Sequence, residues 1–278
     1  MTGVAVQIGH GAATHAGLRG RANEDAYLAA APVFVVADGM GGHEAGARAS
    51  AAVIAQFQAF VGAASVSNTE VRDAITRARA AVDALASGQR AAGTTLTGVV
   101  LTRVGDAGYW LALNIGDSRT YRWARGRLEQ ISIDHSVVQE LVDSGQMDAV
   151  TAARHVRRNE ITRAIGAGST GEADFWMLPA ESGDRILVCS DGLSTELDDE
   201  RIARILAEEH DPQKAATRLV HEALLAGGRD NVTVIVVDAD GDGDGDDGDV
   251  YDTVPAGGRS SDDADIDTRP RAVAGGRA

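Results

Sequence analysis

The sequence predicts an α+β fold of antiparallel sheets with helices packed on them. Apolar, β-branched segments come in runs and do not alternate strictly with helical segments, which argues against a doubly wound parallel sheet. Helical periodicity is confined to five stretches bounded by turn residues. With 278 residues, 44% of them hydrophobic, the chain can bury a core large enough for one big domain or two small ones.

In chain order, VAVQIGH (4–10) and AYLAA (26–30) are weak strand candidates, and VFVVA (33–37) is a strong one. Helical patterns follow over 46–61 and 69–86. TLTGVVLTR (95–103) and YWLALNI (109–115) are strong strands, short, β-branched and bounded by Gly or Asp. RTYRWA (119–124) and RLEQISI (127–133) are weaker, and a helical pattern covers 136–144. RILVCS (185–190) is a strand, followed by helical patterns over 199–209 and 212–226. The last of these opens on Pro212, repeats Ala215, Leu219, Val220, Ala223 and Leu224 at helical spacing, and stops at Gly227-Gly228. NVTVIVVD (231–238) closes the series.

The composition changes at Asp238. Residues 238–278 carry 12 acidic residues against 4 Arg and almost no large apolar ones. Such a segment cannot offset its ordering entropy by burial, so 239–278 is expected to be a disordered acidic tail behind a folded domain over 1–238. Its Asp-Gly run lacks the several copies that a calcium-binding repeat needs. The net charge of -15 argues against gripping nucleic-acid phosphates. A single cysteine, Cys189, excludes an internal disulfide and a Cys-based zinc site. There is no signal-peptide pattern and no long apolar span, so the expectation is a cytoplasmic protein that does not engage a membrane.

The chemistry is marked by where the aspartates fall. Asp38 follows VFVVA, Asp117 follows YWLALNI and a glycine, Asp191 follows RILVCS, and Asp230 precedes NVTVIVV. One Asp-Gly after a strand is usually a turn. Four carboxylates at the ends of four of the most apolar strands would crowd one rim of the core, a costly arrangement unless a cation neutralises them. All-oxygen ligation selects hard ions: Mg²⁺, Mn²⁺ or Ca²⁺.

NEDA (23–26), VVADGMGGHEAG (35–46), GTTL (93–96), NIGDSRTYR (114–122), DHSVVQELVDSG (134–145), ITRAIG (161–166), CSDGLS (189–194) and GGRDNVTVIVVD (227–238) follow in order. Over about residues 6–238 this series resembles the bacterial metal-dependent serine/threonine phosphatases of the protein phosphatase 2C (PPM) family. The resemblance implies an α-β-β-α sandwich with a binuclear Mn²⁺ or Mg²⁺ centre at one end. It implies that Asp38 bridges the two ions, that the Gly39 carbonyl binds one, and that Asp191 and Asp230 hold the other. Glu24 would orient water at the second ion. A third, looser ion would use Asp117 and Asp191, with Asn159 near the place of a further ligand.

The implied reaction is in-line hydrolysis of a phosphoserine or phosphothreonine by metal-activated water, with no phosphoenzyme. Cys189 does not suit a cysteine phosphatase, because position 195, where a phosphate-cradling Arg is needed, is Thr. The sequence departs from the family at the phosphate clamp, an Arg expected four residues before Glu24. Gly20 stands there, flanked by Arg19 and Arg21, either of which offers a guanidinium fork. His43 either contacts substrate and protonates the leaving oxygen or bonds the backbone of the metal loop. Residues 134–165 match the family's mobile flap.

The expected partners are phosphorylated proteins made by a serine/threonine kinase, acted on by a monomer. The alternative readings are a catalytically weak metal-binding regulatory module of the same fold, supported only by the displaced Arg, and an acidic calcium-binding protein working through its tail.

Overall fold

The computed structural model describes residues 6–20, 22–41, 44–85, 92–152, 154–169 and 171–241. Arg21, His43 and residues 242–278 lie outside them, so two of the expected site residues and most of the expected tail are not placed.

The chain opens with β1 (Val6–His15), β2 (Ala26–Ala30), β3 (Val33–Ala37) and the short β4 (Gly39–Met40), followed by α1 (Glu44–Phe57) and α2 (Asn68–Leu85). Next come β5 (Gly93–Thr94), β6 (Leu96–Val104), β7 (Ala107–Ile115), β8 (Arg119–Ala124) and β9 (Arg127–Gln130). The flap region holds α3 (Val137–Asp143) and α4 (Ala149–Ala152). The remainder is β10 (Ile165–Gly166), β11 (Asp174–Pro179), β12 (Asp184–Cys189), α5 (Asp191–Ser194), α6 (Asp199–Glu208), α7 (Pro212–Ala226) and β13 (Val232–Gly241).

Two five-stranded sheets form, in the orders β1-β13-β12-β8-β9 and β11-β7-β6-β3-β2, with a small sheet β10-β5-β4 beside them. Every pairing is antiparallel. Strand alternation sends β3 side chains two ways. Phe34 and Val36 meet Trp110, Ile186, Val188 and Ile235 between the two sheets. Val33, Val35 and Ala37 meet Val53, Phe57, Val71 and Ala74 of α1 and α2. On the far face of the other sheet, Leu187, Val234 and Val236 pack on Ile202, Ile205, Leu219 and Ala223 of α6 and α7. Three apolar layers separated by two sheets make the α-β-β-α sandwich.

Helix starts carry their own signals. Ser67 and Glu70 form a reciprocal capping box at α2, with Ser67 N–H donating to Glu70 Oε2 at 2.8 Å. Asp198 and Asp211 cap α6 and α7, accepting from the Arg201 and Lys214 amides.

Of the boundaries that differ from the sequence expectation, two strand ends run well beyond it. β1 continues to His15 through residues of low strand preference, because it pairs along its whole length with β13 (His15 opposite Val232). β13 runs three residues beyond Asp238: Ala239 is fully buried between the sheets and stands opposite Ile8 and Asp184. The tail expected from residue 239 therefore begins no earlier than 242, since cross-strand pairing outweighs acidic composition over 239–241. No helix among the described residues is long and apolar enough to cross a membrane.

Candidate active site

Antiparallel pairing brings the aspartates to one end of the sandwich. Ala26 stands opposite Ala37, so Asp25 and Asp38 leave adjacent strand ends of one sheet. Cys189 pairs with Val234 and with Arg119, so Asp191, Asp230 and Asp117 gather from the other sheet and from the β7–β8 turn that joins the two.

The Asp38 backbone is fixed from both sides. Its N–H donates to Thr95 Oγ1 at 2.9 Å, and its carbonyl accepts from Thr94 Oγ1 and the Thr95 N–H, both at 2.9 Å. The chain then passes so close to α1 that only glycines fit. A Cβ on Gly39 would lie 2.3 Å from the Gly46 carbonyl oxygen, and one on Gly46 would lie 2.0 Å from Glu24 Oε2. Gly46 thus lets Glu24 reach the Asp38 loop. Ser50 Oγ holds the Glu24 carbonyl at 2.6 Å.

Burial pushes the carboxyls of Asp25, Asp38, Asp117 and Asp191 up, and their neighbours add to it. Asp25 reaches about 7 through burial, opposed by hydrogen bonds from Thr233 and Ser190 and reinforced by the charges of Asp191 and Asp230. Asp191 reaches about 6 through burial and the Asp230 charge, offset by a hydrogen bond with Asp38 and by the Arg119 guanidinium. Asp38 lies well above the usual carboxylate range through burial and the repulsion of Asp25, Asp191, Asp117 and Asp230. Arg119 is itself committed to Asp134, with Nε 3.0 Å from both oxygens and Nη2 2.7 Å from Oδ2.

This set suits hard divalent cations. The donors are all oxygen, they repel one another in a buried setting, and Asp25 Oδ1 is a buried acceptor without a hydrogen-bond donor. Among the described residues no three acidic, imidazole or thiol side chains are already set at ligating distance of one point. The Asp38 and Asp191 carboxyls lie close enough to act on one another's protonation.

The other expected residues divide. Asn159 is exposed on the flap, and it lines a cleft of about 770 Å³ together with Asp117 and Asp191. Arg19 is exposed, and its charge acts on Glu196, a carboxylate also held by Arg229 at 2.8 Å. Cys189 is fully buried in β12, and burial pushes its thiol up to about 12, as befits an inert core residue.

Sequence reasoning missed three contributors. Asp25 precedes AYLAA just as Asp230 precedes NVTVIVV, so the strand-end pattern already contained it. Its Oδ2 accepts from Ser190 Oγ at 2.8 Å and Thr233 Oγ1 at 2.7 Å, which ties one sheet to the other. Asn231 fastens the Glu24 segment to β13: its Oδ1 accepts from the Glu24 N–H at 2.8 Å, and its Nδ2 donates to the carbonyls of Ala16 and Ala22, both at 3.1 Å.

His135 is buried at the flap root. Its Nδ1 accepts from the Gly116 N–H at 3.2 Å, which leaves Nε2 to donate to Asp174 Oδ2 at 3.0 Å. That fixes the turn carrying Asp117, where Gly116 takes φ +106°. Only the adjacency of DHS to the flap hinted at it.

The family model for protein phosphatase 2C matches residues 12–226. The chain belongs to the protein phosphatase 2C family. This phosphatase 2C chain is 38% identical to the serine/threonine protein phosphatase PstP of Mycobacterium tuberculosis, over 99% of its own length and 52% of that protein's. It thus spans about half the length of that curated relative. It is 30% identical to the serine/threonine phosphatase stp of Listeria monocytogenes, over 74% of the chain and 83% of the relative.

Among solved structures it is similar to M. tuberculosis PstP/Ppp, with 36% identity and a TM-score of 0.77, covering 85% of this chain and all of that one. A structure of the PstP catalytic domain in complex with two manganese ions matches at 34% identity and TM-score 0.76, with the same coverage. PppA of Pseudomonas aeruginosa matches at 35% and 0.72, covering 85% and 99%.

The carboxyl cluster predicts a pH-dependent cation effect. A carboxyl whose folded pKa is raised stabilises the fold fully below its unfolded value, about 4, and loses that contribution as pH rises through its folded value. For Asp25 and Asp191 the window therefore runs from about 4 to about 6–7. Metal-free protein is expected to lose melting temperature relative to the Mg²⁺-supplemented protein as pH rises from 5 to 7.5. An Mg²⁺-induced shift that is equal at both pH values would exclude the coupling.

Proposed function

We propose that this chain is a metal-dependent phosphoprotein phosphatase hydrolysing phosphoserine and phosphothreonine. The observation that carries the reading is the convergence of five strand-end aspartates, four of them raised by burial and mutual repulsion, at one end of a phosphatase 2C sandwich. Two Mn²⁺ or Mg²⁺ ions, when bound, supply charge neutralisation for the phosphoryl group and a nucleophilic water at neutral pH. Asp38, Asp191 and Asp230, with the Gly39 carbonyl, are the residues that would hold them. Asp117 and Asp191, with Asn159 across the cleft, are the donors for a third.

Around that centre the protein's task is orientation. Glu24, held through its backbone by Asn231 and Ser50, presents a carboxylate over the Asp38 loop, where it accepts a hydrogen bond from the attacking water and fixes its direction. Arg19 or Arg21 engages the phosphate dianion in place of the arginine that Gly20 displaces. His43 donates to the leaving oxygen. The second reading, a silent regulatory module, rests on the displaced clamp alone.

The protein is proposed to act in the cytoplasm as a monomer, on proteins phosphorylated by a serine/threonine kinase. Hydrolysis of p-nitrophenyl phosphate in Mn²⁺ and its loss in EDTA is the expected result. No turnover in Mn²⁺ with the protein folded would favour the silent module.

A further inference from the structure

The cleft that contains Asp117 and Asp191 extends well beyond them. It runs between the flap and the α5–α6 junction, and its volume of about 770 Å³ far exceeds what a phosphoryl group fills. Val138 and Val142 of α3 and Leu197 beyond α5 are among its lining residues. The α6 wall ends in Asp198, Asp199 and Glu200.

These three are not equivalent. Asp198 is bound to the α6 amide it caps, and Asp199 Oδ1 accepts from the Tyr121 hydroxyl at 3.3 Å. Glu200 is exposed, with no ion pair among the described residues. The cations lining the cleft are Arg119 and Arg158, and Arg119 is spent on Asp134. The cleft therefore reaches the reaction centre through Asp191, is roomier than a phosphoryl group needs, offers a few apolar side chains and is anionic along its α6 wall.

Building on the proposed phosphatase reading, we infer that this cleft is the polypeptide-binding groove and that its α6 wall selects substrates with a basic residue flanking the phosphorylated one. A chain that places its phosphoryl group at the centre that Asp191 shares with Asp38 and Asp230 must run its flank along one side or the other of that centre. On this side it meets Val138, Val142 and Leu197, which accept an apolar side chain, and then Asp198, Asp199 and Glu200, which pair with Arg or Lys. Desolvation is partial in so open a groove, so each charge contact contributes modestly and discrimination comes from the set. The same wall repels acidic flanks, which adds to the discrimination.

The test uses the full chain and two phosphothreonine peptides of equal length that differ only in flanking residues, Arg in one and Glu in the other. Each kcat/KM is divided by the same protein's p-nitrophenyl phosphate rate. The Arg peptide is expected to be favoured by about tenfold at low salt, with the ratio shrinking as ionic strength rises.

In Asp198→Asn/Glu200→Gln the ratio is expected to fall to about two or less; Asn keeps the cap oxygen, so α6 is retained. Glu200→Arg is expected to move it further toward the Glu peptide. Equal use of both peptides by the wild-type protein, or a ratio unchanged in these variants, overturns the groove assignment while p-nitrophenyl phosphate turnover keeps the phosphatase reading intact. Absence of p-nitrophenyl phosphate turnover overturns both.

Discussion

Asp38→Asn is expected to lower p-nitrophenyl phosphate turnover at least a hundredfold, by about that order, in Mn²⁺-replete buffer. Asp191→Asn should behave alike. The two carboxyls act on one another within the cluster, and each is raised by burial and by its neighbours. Asparagine keeps the shape and removes the charge. The same substitution therefore has a second signature: in EDTA at pH 7.5 the variant should melt higher than the wild-type protein, because a strained buried carboxylate has been replaced by a neutral amide. Turnover at the wild-type level would sink the assignment of Asp38. A lower melting temperature in EDTA would show that the carboxylate serves the fold directly.

Arg185→Ala is expected to destabilise the protein by about 3–5 kcal/mol, the range for removing one partner of a buried ion pair. Arg185 stands on β12 opposite Asp238 of β13, with side chains only 8% and 15% exposed. It donates bidentately to Asp238, at 2.6 and 2.7 Å, and also to the carbonyls of Leu206, Glu209 and His210. One guanidinium thus closes the C-terminal end of α6 and neutralises a carboxylate between the strands. Its removal leaves Asp238 unpaired and three carbonyls short of a donor. Urea unfolding monitored by circular dichroism measures the loss. A change below about 1 kcal/mol would place the pair among solvent-screened surface bridges.

What was legible in the sequence follows from which physical signal each element carries. VFVVA and RTYRWA appear as strands with the bounds expected of them, because β-branched and aromatic runs between turn residues have few alternatives. β11, DFWMLP, was not expected. It is an edge strand whose Pro179 reads as a strand breaker, and only pairing with β7 defines it. β4, β5 and β10 are two residues each, too short for any period to register. RLEQISI was expected to run to Ile133 but stops at Gln130, where the amides of Ile131 and Ser132 both turn to the Thr120 carbonyl.

The site divides in the same way. Asp38, Asp117, Asp191 and Asp230 were visible because a strand end announces each. Asn231 and His135 were not, because what they hold lies far along the chain. Asn231 reaches back to Ala16, Ala22 and Glu24, while His135 bridges Gly116 and Asp174. No local pattern encodes contacts between residues 19 to 215 positions apart.

The acidic cluster draws Asp25 and Asp38 from one sheet and Asp191 and Asp230 from the other, with Phe34, Val36, Trp110, Ile186 and Val188 filling the space between. The gauge of the centre is therefore set by the thickness of a hydrocarbon layer. Sliding one sheet past its mate by a single residue, about 3.4 Å, would part carboxylates that must share a cation. Bulky and small side chains in that layer act as shims. A change of one methyl group deep between the sheets is therefore expected to shift the spacing of the carboxylates proposed to hold a divalent ion, with every acidic group left in place.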